Sequence, residues 1–226
     1  MTGVRERRRA EVRAALLAAG RRELVRAGAA GLSIRAVARD LDMAPSALFR
    51  YISGRDELLT LLIVEAYDDL GDTVESAEAR VARDDLAGRW RAIATTFRAW
   101  AVAHPHEYAL LYGSPVPDFH ANAEETNRAG TRVTDLLVAI GRDAGTPPPG
   151  QEAGPDVAEF VASSDLADLD PRRIVAGITA WTTLVGAVSA ELFEQLGPDL
   201  PYVTTIFPTA VGLGERLMLG ASTTDD

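Results

Sequence analysis

Apolar residues recur along this chain at spacings of three and four, which places them on one face of an α-helix. The clearest short example runs at positions i, i+3, i+4 and i+7 and consists of Ile34, Val37, Ala38 and Leu41. Ser33 stands directly before it and can accept a hydrogen bond from the first free backbone amides of that helix. We find no convincing pair of strands and no internal repeat. The pattern therefore predicts an all-α fold.

A second short helix is predicted after a tight turn. Asp42 tolerates the left-handed conformation that a sharp turn needs, and Pro45 suits the first turn of a helix because its missing N–H costs nothing there. We predict this helix over about Pro45 to Tyr51, with Leu48 and Ile52 facing the first helix. Residues 33–59 then form a helix-turn-helix, whose second helix presents residues to the base edges of DNA. The outward residues are Pro45, Ser46, Ala47 and Arg50.

Positive charge is concentrated at the amino-terminal end. Residues 1–55 hold 12 arginines against 5 acidic side chains, a balance of +7. The whole chain carries −10, so residues 56–226 carry −17. Neutralising phosphates releases counterions, and a basic region in an otherwise acidic protein is therefore typical of nucleic-acid binding. A basic arm of four arginines could enter the minor groove or be a disordered tail: Arg5, Arg7, Arg8 and Arg9.

This region resembles the DNA-binding domain of the TetR family of transcriptional repressors. Residues 48–52 read LFRYI and residues 55–58 read RDEL, close to the end of the family's recognition helix and the start of its fourth helix. Four positions depart from the family pattern: Asp42 replaces a glycine, Ala44 a serine, Phe49 a tyrosine and Tyr51 a histidine. The resemblance implies a three-helix helix-turn-helix domain over 1–55 and a helical effector-binding and dimerisation domain over 56–226.

Site residues follow from the resemblance position by position. It implies that Ser33, Tyr51 and Arg55 contact phosphates, and such contacts fix the register of the protein on DNA. It also implies that four residues lie nearest the bases, where contacts determine the sequence preference: Arg35, Ser46, Ala47 and Arg50. Pro45 completes this DNA-binding set. For Arg35 and Arg50 a solvated helix face remains the alternative. Phe49 lacks a hydroxyl for a phosphate, so Tyr51 could take over that contact.

Further helices follow from the same spacing. Helix one is predicted over about Arg5 to Ala27, ending at Gly28. Asp165, Asp168 and Asp170 should cap a helix that begins at Pro171. The remaining predicted elements are helices from Arg55 toward Arg80, Leu86 to His104, Pro105 to Tyr112, around Val133 to Ile140, and Pro201 to Leu219 with a bend at Pro208, besides a loop at 113–120 and a mobile loop at 145–155.

A heptad-like apolar pattern over residues 174–196, flanked by small residues, predicts a helix that packs against a partner. Two copies of a recognition helix read a palindrome, so we expect a homodimer on a palindromic operator in double-stranded DNA. The expected interface residues are Ile174, Ile178, Val185, Val188 and Leu192. The segment also resembles the Trp-x-x-x-His-Gly signature of one TetR carboxy-terminal subfamily, with Val185 in place of the histidine.

The resemblance also implies a pocket for a small, largely apolar effector that relieves repression. Seven aromatic residues fall in the segments that form this pocket in TetR-like folds: Trp90, Phe97, Trp100, Tyr108, Tyr112, Phe119 and Trp181. Aromatic residues at helical spacing are also typical of plain core. An activator, or a regulator that needs no ligand, remains open.

A helical metal-dependent enzyme is the alternative function. Asp68, Asp69 and Asp72 have the spacing by which aspartates bind magnesium and diphosphate, but the match is short and stands alone, and an acidic solvated helix face is the simpler explanation. His104, His106 and His120 could meet around a metal, but they have no fixed spacing. We expect no enzymatic activity, no metal site and no cofactor.

Composition restricts the location of the chain. There is no cysteine, so disulfides and thiolate chemistry are excluded. We expect no apolar run of transmembrane length and no secretion signal before helix one. The sequence therefore predicts a cytoplasmic protein without a membrane partner.

Overall fold

The computed structural model describes residues 2–148 and 152–220. Within these residues the chain forms eleven α-helices and one π-helical turn and no strand, which confirms the all-α fold. The elements are α1 (Thr2–Gly31), α2 (Ile34–Asp40), α3 (Pro45–Leu48), α4 (Arg55–Glu78), α5 (Leu86–Ala103), α6 (Pro105–Tyr112), α7 (Ala123–Gly130), α8 (Arg132–Asp143), α9 (Pro155–Ala162), α10 (Pro171–Leu192), the π-helical turn (Tyr202–Ile206) and α11 (Phe207–Leu219).

Packing divides the chain into two compact units, and the division differs from the predicted boundary at residue 55. Unit 1 comprises Met1–Asp69 and His104–Gly130, and unit 2 comprises Leu70–Ala103 and Thr131–Asp226. The first half of α4 belongs to unit 1 because Leu58 and Leu62 share one apolar core with the helix-turn-helix. Leu110, Val116 and Phe119 also pack against that core. The helical spacing that predicted the elements carries no information about this long-range packing.

Most predicted helices are confirmed, with two omissions. Gly28 has a left-handed φ of 66°, which interrupts α1 where the prediction ended it. Asp170 caps α10 by accepting a hydrogen bond from the Arg172 amide, while Asp168 instead pairs with Arg142 on α8. The short helices α7 and α9 were not predicted. Pro208 lies in the first turn of α11, after the π-helical turn, and part of the predicted mobile loop, 149–151, lies outside the described residues.

Unit 2 contains a buried ion network beside α5. Arg89 is 2% exposed, and its guanidinium donates hydrogen bonds to Glu78 and to Asp143. Arg83 also bonds to Asp143. The hydrogen bonds from Arg83 and Arg89 hold the pKa of the Asp143 carboxyl below its ordinary value. This network joins the end of α4 to α5 and α8.

The expectation that no apolar run reaches transmembrane length is wrong for α10. Pro171–Leu192 spans 22 residues with a mean hydropathy of 1.4 in its most apolar window, enough by length and composition to cross a membrane. Only 28% of that window is buried within the chain. One such helix is weak evidence for a membrane span, because helices that bury an apolar face against protein have the same composition.

Candidate DNA-binding surface and effector cavity

The turn of the helix-turn-helix is a Schellman motif centred on Asp42. Its φ of 52° lies in the left-handed region. The Met43 amide donates to the Ala38 carbonyl at 2.9 Å, and the Asp42 amide donates to the Arg39 carbonyl at 3.2 Å. These two bonds satisfy the last carbonyls of α2 and reverse the chain toward α3. Aspartate therefore occupies a conformation that glycine adopts more readily.

The candidate recognition helix is shorter than predicted. Only residues 45–48 form α3, and residues 49–51 continue as hydrogen-bonded turns. Ala44 provides no side-chain cap at its start, and Pro45 stands in the first turn. Leu48 and Ile52 are buried in the core with Val37, as predicted. This packing fixes the outer face of residues 45–50.

The structure places the predicted DNA-binding residues in three settings. Pro45, Ser46 and Arg50 are exposed on the outer face of residues 45–50, and Arg35 is exposed on α2. Ala47 and Tyr51 are half-buried. Ser33 caps α2, because its hydroxyl accepts a hydrogen bond from the Ala36 amide at 3.4 Å. The predicted basic arm does not precede the first helix, since its arginines lie in the first turns of α1.

Arg55 has a role that the sequence did not indicate. Its guanidinium donates to the backbone carbonyls of Ala29 and Ala30 at 3.0 and 3.2 Å, and it lies 3.7 Å from the Asp56 carboxylate. It therefore pairs with the carbonyls at the end of α1. The phosphate contact that the resemblance implies stays a prediction. A long arginine can reach carbonyls 25 residues away, which no local pattern reveals.

A cavity of about 480 Å³ lies between α8, α9 and α10 in unit 2. Its wall is mostly apolar and includes Leu137, Leu166, Ile174 and Trp181, with Asp135 and Asp165 among its polar groups. The volume falls in the range of small-molecule sites. Sequence reasoning missed this cavity because α9 and the loop after it, which supply part of the wall, are too short to show a clear helical pattern.

Comparison with known proteins decides the family. Residues 16–62 match the model for bacterial regulatory proteins of the tetR family, and residues 90–211 match a tetracyclin repressor-like carboxy-terminal domain. An HTH-type transcriptional regulator of Mycobacterium tuberculosis is 42% identical over 209 residues, which cover 88% of each chain. The chain belongs to the TetR family.

Solved structures share this TetR fold. The crystal structure of a candidate regulatory protein is 29% identical, with a TM-score of 0.75 over 92% of this chain and 96% of that one. The TetR family transcriptional regulator PfmR of Thermus thermophilus has a TM-score of 0.55 at 16% identity, over 92% and 98% of the two chains, a similarity of fold alone. This TetR family chain is a DNA-binding transcriptional regulator that acts inside the cell.

The aromatic residues predicted for a TetR effector pocket are mostly core. Trp90, Phe97, Trp100 and Tyr108 are buried. Trp90 also donates from Nε1 to the Val211 carbonyl at 2.8 Å. Tyr112 lies with its ring centroid 5.1 Å from that of Tyr108, and Phe119 packs against the core of unit 1. Trp181 differs, because it lines the cavity while its ring lies 4.8 Å from that of Phe97.

The residues predicted for a TetR dimer interface divide between core and surface. Ile174 and Val188 are buried in the single chain, so their side chains pack within their own unit. Ile178 is 61% exposed on α10, while Val185 and Leu192 are half-buried. The residues of the predicted heptad differ in burial because only one side of α10 packs against its own unit. Further exposed apolar residues follow α10: Phe193, Leu196, Leu200 and Val203.

One of the acidic residues that suggested an enzyme has an arginine partner in this regulator. The Asp72 carboxylate pairs with Arg132 at 2.5 Å, so a metal would compete with a guanidinium. Among residues 2–148 and 152–220, no three His, Asp or Glu side chains form a metal-binding group, and His104, His106 and His120 form none. The family consists of transcriptional regulators, and the comparisons give the enzyme alternative no support.

Proposed function

We propose that this TetR family chain is a homodimeric repressor of a palindromic operator, released by a small, largely apolar ligand in the cavity between α8, α9 and α10. The outer face of residues 45–50, where Pro45, Ser46 and Arg50 are exposed above a buried Leu48, is the observation that supports operator reading most directly. One such face covers only a few base pairs, so specific binding requires two copies.

The exposed face of α10 supports the dimer. Ile178 on α10 and Val203 in the π-helical turn are both more than half exposed. Between them in the sequence, Phe193, Leu196 and Leu200 are exposed as well, and such an accumulation of large exposed apolar residues favours a protein interface. A second copy of the chain is the occupant we propose, because a twofold dimer uses the same surface twice and matches a palindromic site.

The chemistry of the cavity supports an apolar ligand. Arg173 lines it, but its guanidinium donates to backbone carbonyls, including those of Ala144 and Gly145 at 3.0 and 2.9 Å. Its charge is therefore engaged in holding the ends of helices. Asp135 and Asp165 are exposed residues of the wall and provide polar contacts. The ligand we propose has an apolar body and polar groups that reach these two residues.

Arg132 connects α8, which lines the cavity, to α4, and so could transmit ligand binding to the DNA-binding unit. It follows the cavity residue Thr131 and donates to Glu75 at 2.8 and 2.6 Å and to Asp72 on the last turns of α4. Gly71 permits this contact, because an added Cβ would lie 2.6 Å from the Arg132 side chain. A ligand that displaces α8 would pull on α4, which begins at Arg55, a short non-helical segment after α3. It can lower DNA affinity by no more than its differential affinity for the two states.

A cavity-filling variant tests the ligand site. Gly177 lines the cavity, and a Cβ added there meets nothing within 4 Å. Gly177→Leu should fill the space, and Gly177→Ala is the matched control, because it adds a Cβ and leaves the space open. With the neutral fluorophore N-phenyl-1-naphthylamine as the probe, we expect Gly177→Leu to weaken binding at least about tenfold and Gly177→Ala to bind as the wild type does. Equal binding by all three would contradict this site.

The coupling has its own test. Arg132→Gln should leave probe binding and operator affinity close to those of the wild type, but reduce the loss of operator affinity that the ligand causes. Arg91→Gln is the control, because Arg91 also forms an ion pair within unit 2 but pairs with Glu215 on α11 rather than with α4. If Arg132→Gln releases the operator as fully as the wild type, the route through Arg132 is wrong.

A further inference from the structure

Phe49 is an exposed aromatic residue on the candidate DNA-binding surface. It is 54% exposed, although its neighbour Leu48 is fully buried. Its backbone, at φ −64° and ψ −4°, continues the helical course of α3 for one more residue. Pro45 lies four residues earlier and is also exposed. Residues four apart on a helical course are neighbours on its surface, so Pro45 and Phe49 form one apolar row.

A polar row runs beside this apolar row. Ser46 and Arg50 have the same spacing and are both exposed. The two rows cover the outer face that a recognition helix presents to the major groove. The surface therefore offers a polar row, which can hydrogen-bond to base edges, and an apolar row, which can make only van der Waals contacts.

The apolar row restricts what it can bind on DNA. Phosphates and most base edges in the major groove are polar, whereas the 5-methyl group of thymine is apolar and identifies that base. Phe49 cannot bond to a phosphate, because it has no hydroxyl. The net charge of +7 over residues 1–55 attracts this part of the protein to the phosphates of DNA. Resting on the DNA-binding function, we propose that Pro45 and Phe49 read thymine 5-methyl groups in each half of the operator.

Replacing thymine by deoxyuridine tests this directly, because the change removes the methyl group and leaves every hydrogen-bonding atom. The operator is first selected from a random duplex library with the full-length protein. Deoxyuridine then replaces thymine at one position at a time. We expect one or two positions in each half-site to weaken wild-type binding by about fourfold per methyl group, the effect of burying one such group.

The second part of the test changes the protein instead of the DNA, with the variant Phe49→Ala. Because both protomers of the dimer carry the substitution, the variant should lose about the square of that factor on the thymine operator and become indifferent to deoxyuridine at the sensitive positions. Val25→Ala is the control, because Val25 is equally exposed, at 55%, but lies on α1. It should keep the full response to deoxyuridine. Thermal unfolding of each variant verifies that it is folded.

Two results would overturn the proposal. The wild type could be indifferent to deoxyuridine at every position, or Phe49→Ala could keep the full deoxyuridine penalty. Equal weakening of the thymine and deoxyuridine operators by Phe49→Ala is a case of the second result, and it would place the ring against sugars or the protein itself. Failure to select any operator would instead contradict the DNA-binding function, so the two failures can be told apart.

Discussion

Arg55 donates a hydrogen bond to the backbone carbonyl of Ala29 across 3.0 Å. This bond, with a second to Ala30, connects the first residue of α4 to the end of α1. The family resemblance implied a phosphate contact for Arg55. In the structure its guanidinium bonds to the end of α1 and so stabilises the unit that carries the helix-turn-helix.

Arg55→Gln should therefore act on stability first. We expect it to lower the free energy of unfolding by about 1.5 kcal/mol, because it removes charged hydrogen bonds to carbonyls at a helix end. The slope of operator affinity against salt concentration should stay unchanged. Urea unfolding and binding titrations at several salt concentrations measure the two quantities.

Arg50→Gln is the matched control for that variant. Arg50 is exposed on the outer face of residues 45–50, so its loss should leave unfolding unchanged and lower operator affinity. The reverse assignment would contradict the structure: an Arg55 variant that unfolds like the wild type and has lost the salt dependence of about one phosphate contact.

Asp42→Gly should stabilise the chain. Asp42 has a φ of 52°, and a left-handed conformation costs an L-residue about 1–2 kcal/mol, less for aspartate than for most. Glycine avoids this cost but loses more backbone entropy on folding. We expect a net gain of roughly 0.5 kcal/mol in the free energy of unfolding and a loss for Asp42→Val, both measurable by urea unfolding. Destabilisation by glycine would contradict the strain at this turn.

Arg89→Leu should destabilise unit 2 strongly. It leaves the Glu78 carboxylate without its buried guanidinium and removes one of two arginines from Asp143. Breaking a buried ion pair from one side costs about 3 kcal/mol. Arg91→Leu is the control, because Arg91 pairs with Glu215 at the surface and should cost under about 1 kcal/mol. Equal effects in urea unfolding would be inconsistent with the buried network.

The same network predicts a pH dependence. Hydrogen bonds from Arg83, and then from Arg89, hold the pKa of Asp143 below its ordinary 3.8. A carboxyl whose pKa is lowered by folding contributes stability above its unfolded pKa and loses it as the pH falls through the folded value. The wild type should thus lose more stability than Asp143→Asn between about pH 5 and pH 3. Parallel losses would contradict the pairing.

Ile178→Glu should produce monomers. The side chain is 61% exposed in the single chain, so the variant should fold, but a carboxylate on the proposed interface opposes dimerisation. Val102→Glu is the control, because Val102 is 47% exposed on α5. Light scattering should give a monomer mass for the first variant and a dimer mass for the second. A dimer of Ile178→Glu, or a monomeric wild type, would refute this interface.

Local chemistry made much of the fold predictable. Ser33, Asp42 and Gly28 each act on residues within one helical turn, so their roles follow from the sequence. The bond from Arg55 to Ala29 crosses 26 residues and leaves no periodic signal. Val188 fits a heptad as well as Ile178 does, and only packing decides which of them is exposed. The cavity was unpredictable for the same reason, since three separate segments build its wall.

Operator binding by the full-length protein tests the central claim most directly. A duplex selected from a random library should be compared with its scrambled sequence by fluorescence anisotropy at about 50 and 200 mM salt. We predict at least about a thousandfold preference for the selected duplex and a steep fall in affinity at the higher salt concentration. Equal affinity for both duplexes, or no binding at either salt concentration, would contradict a sequence-specific DNA-binding regulator.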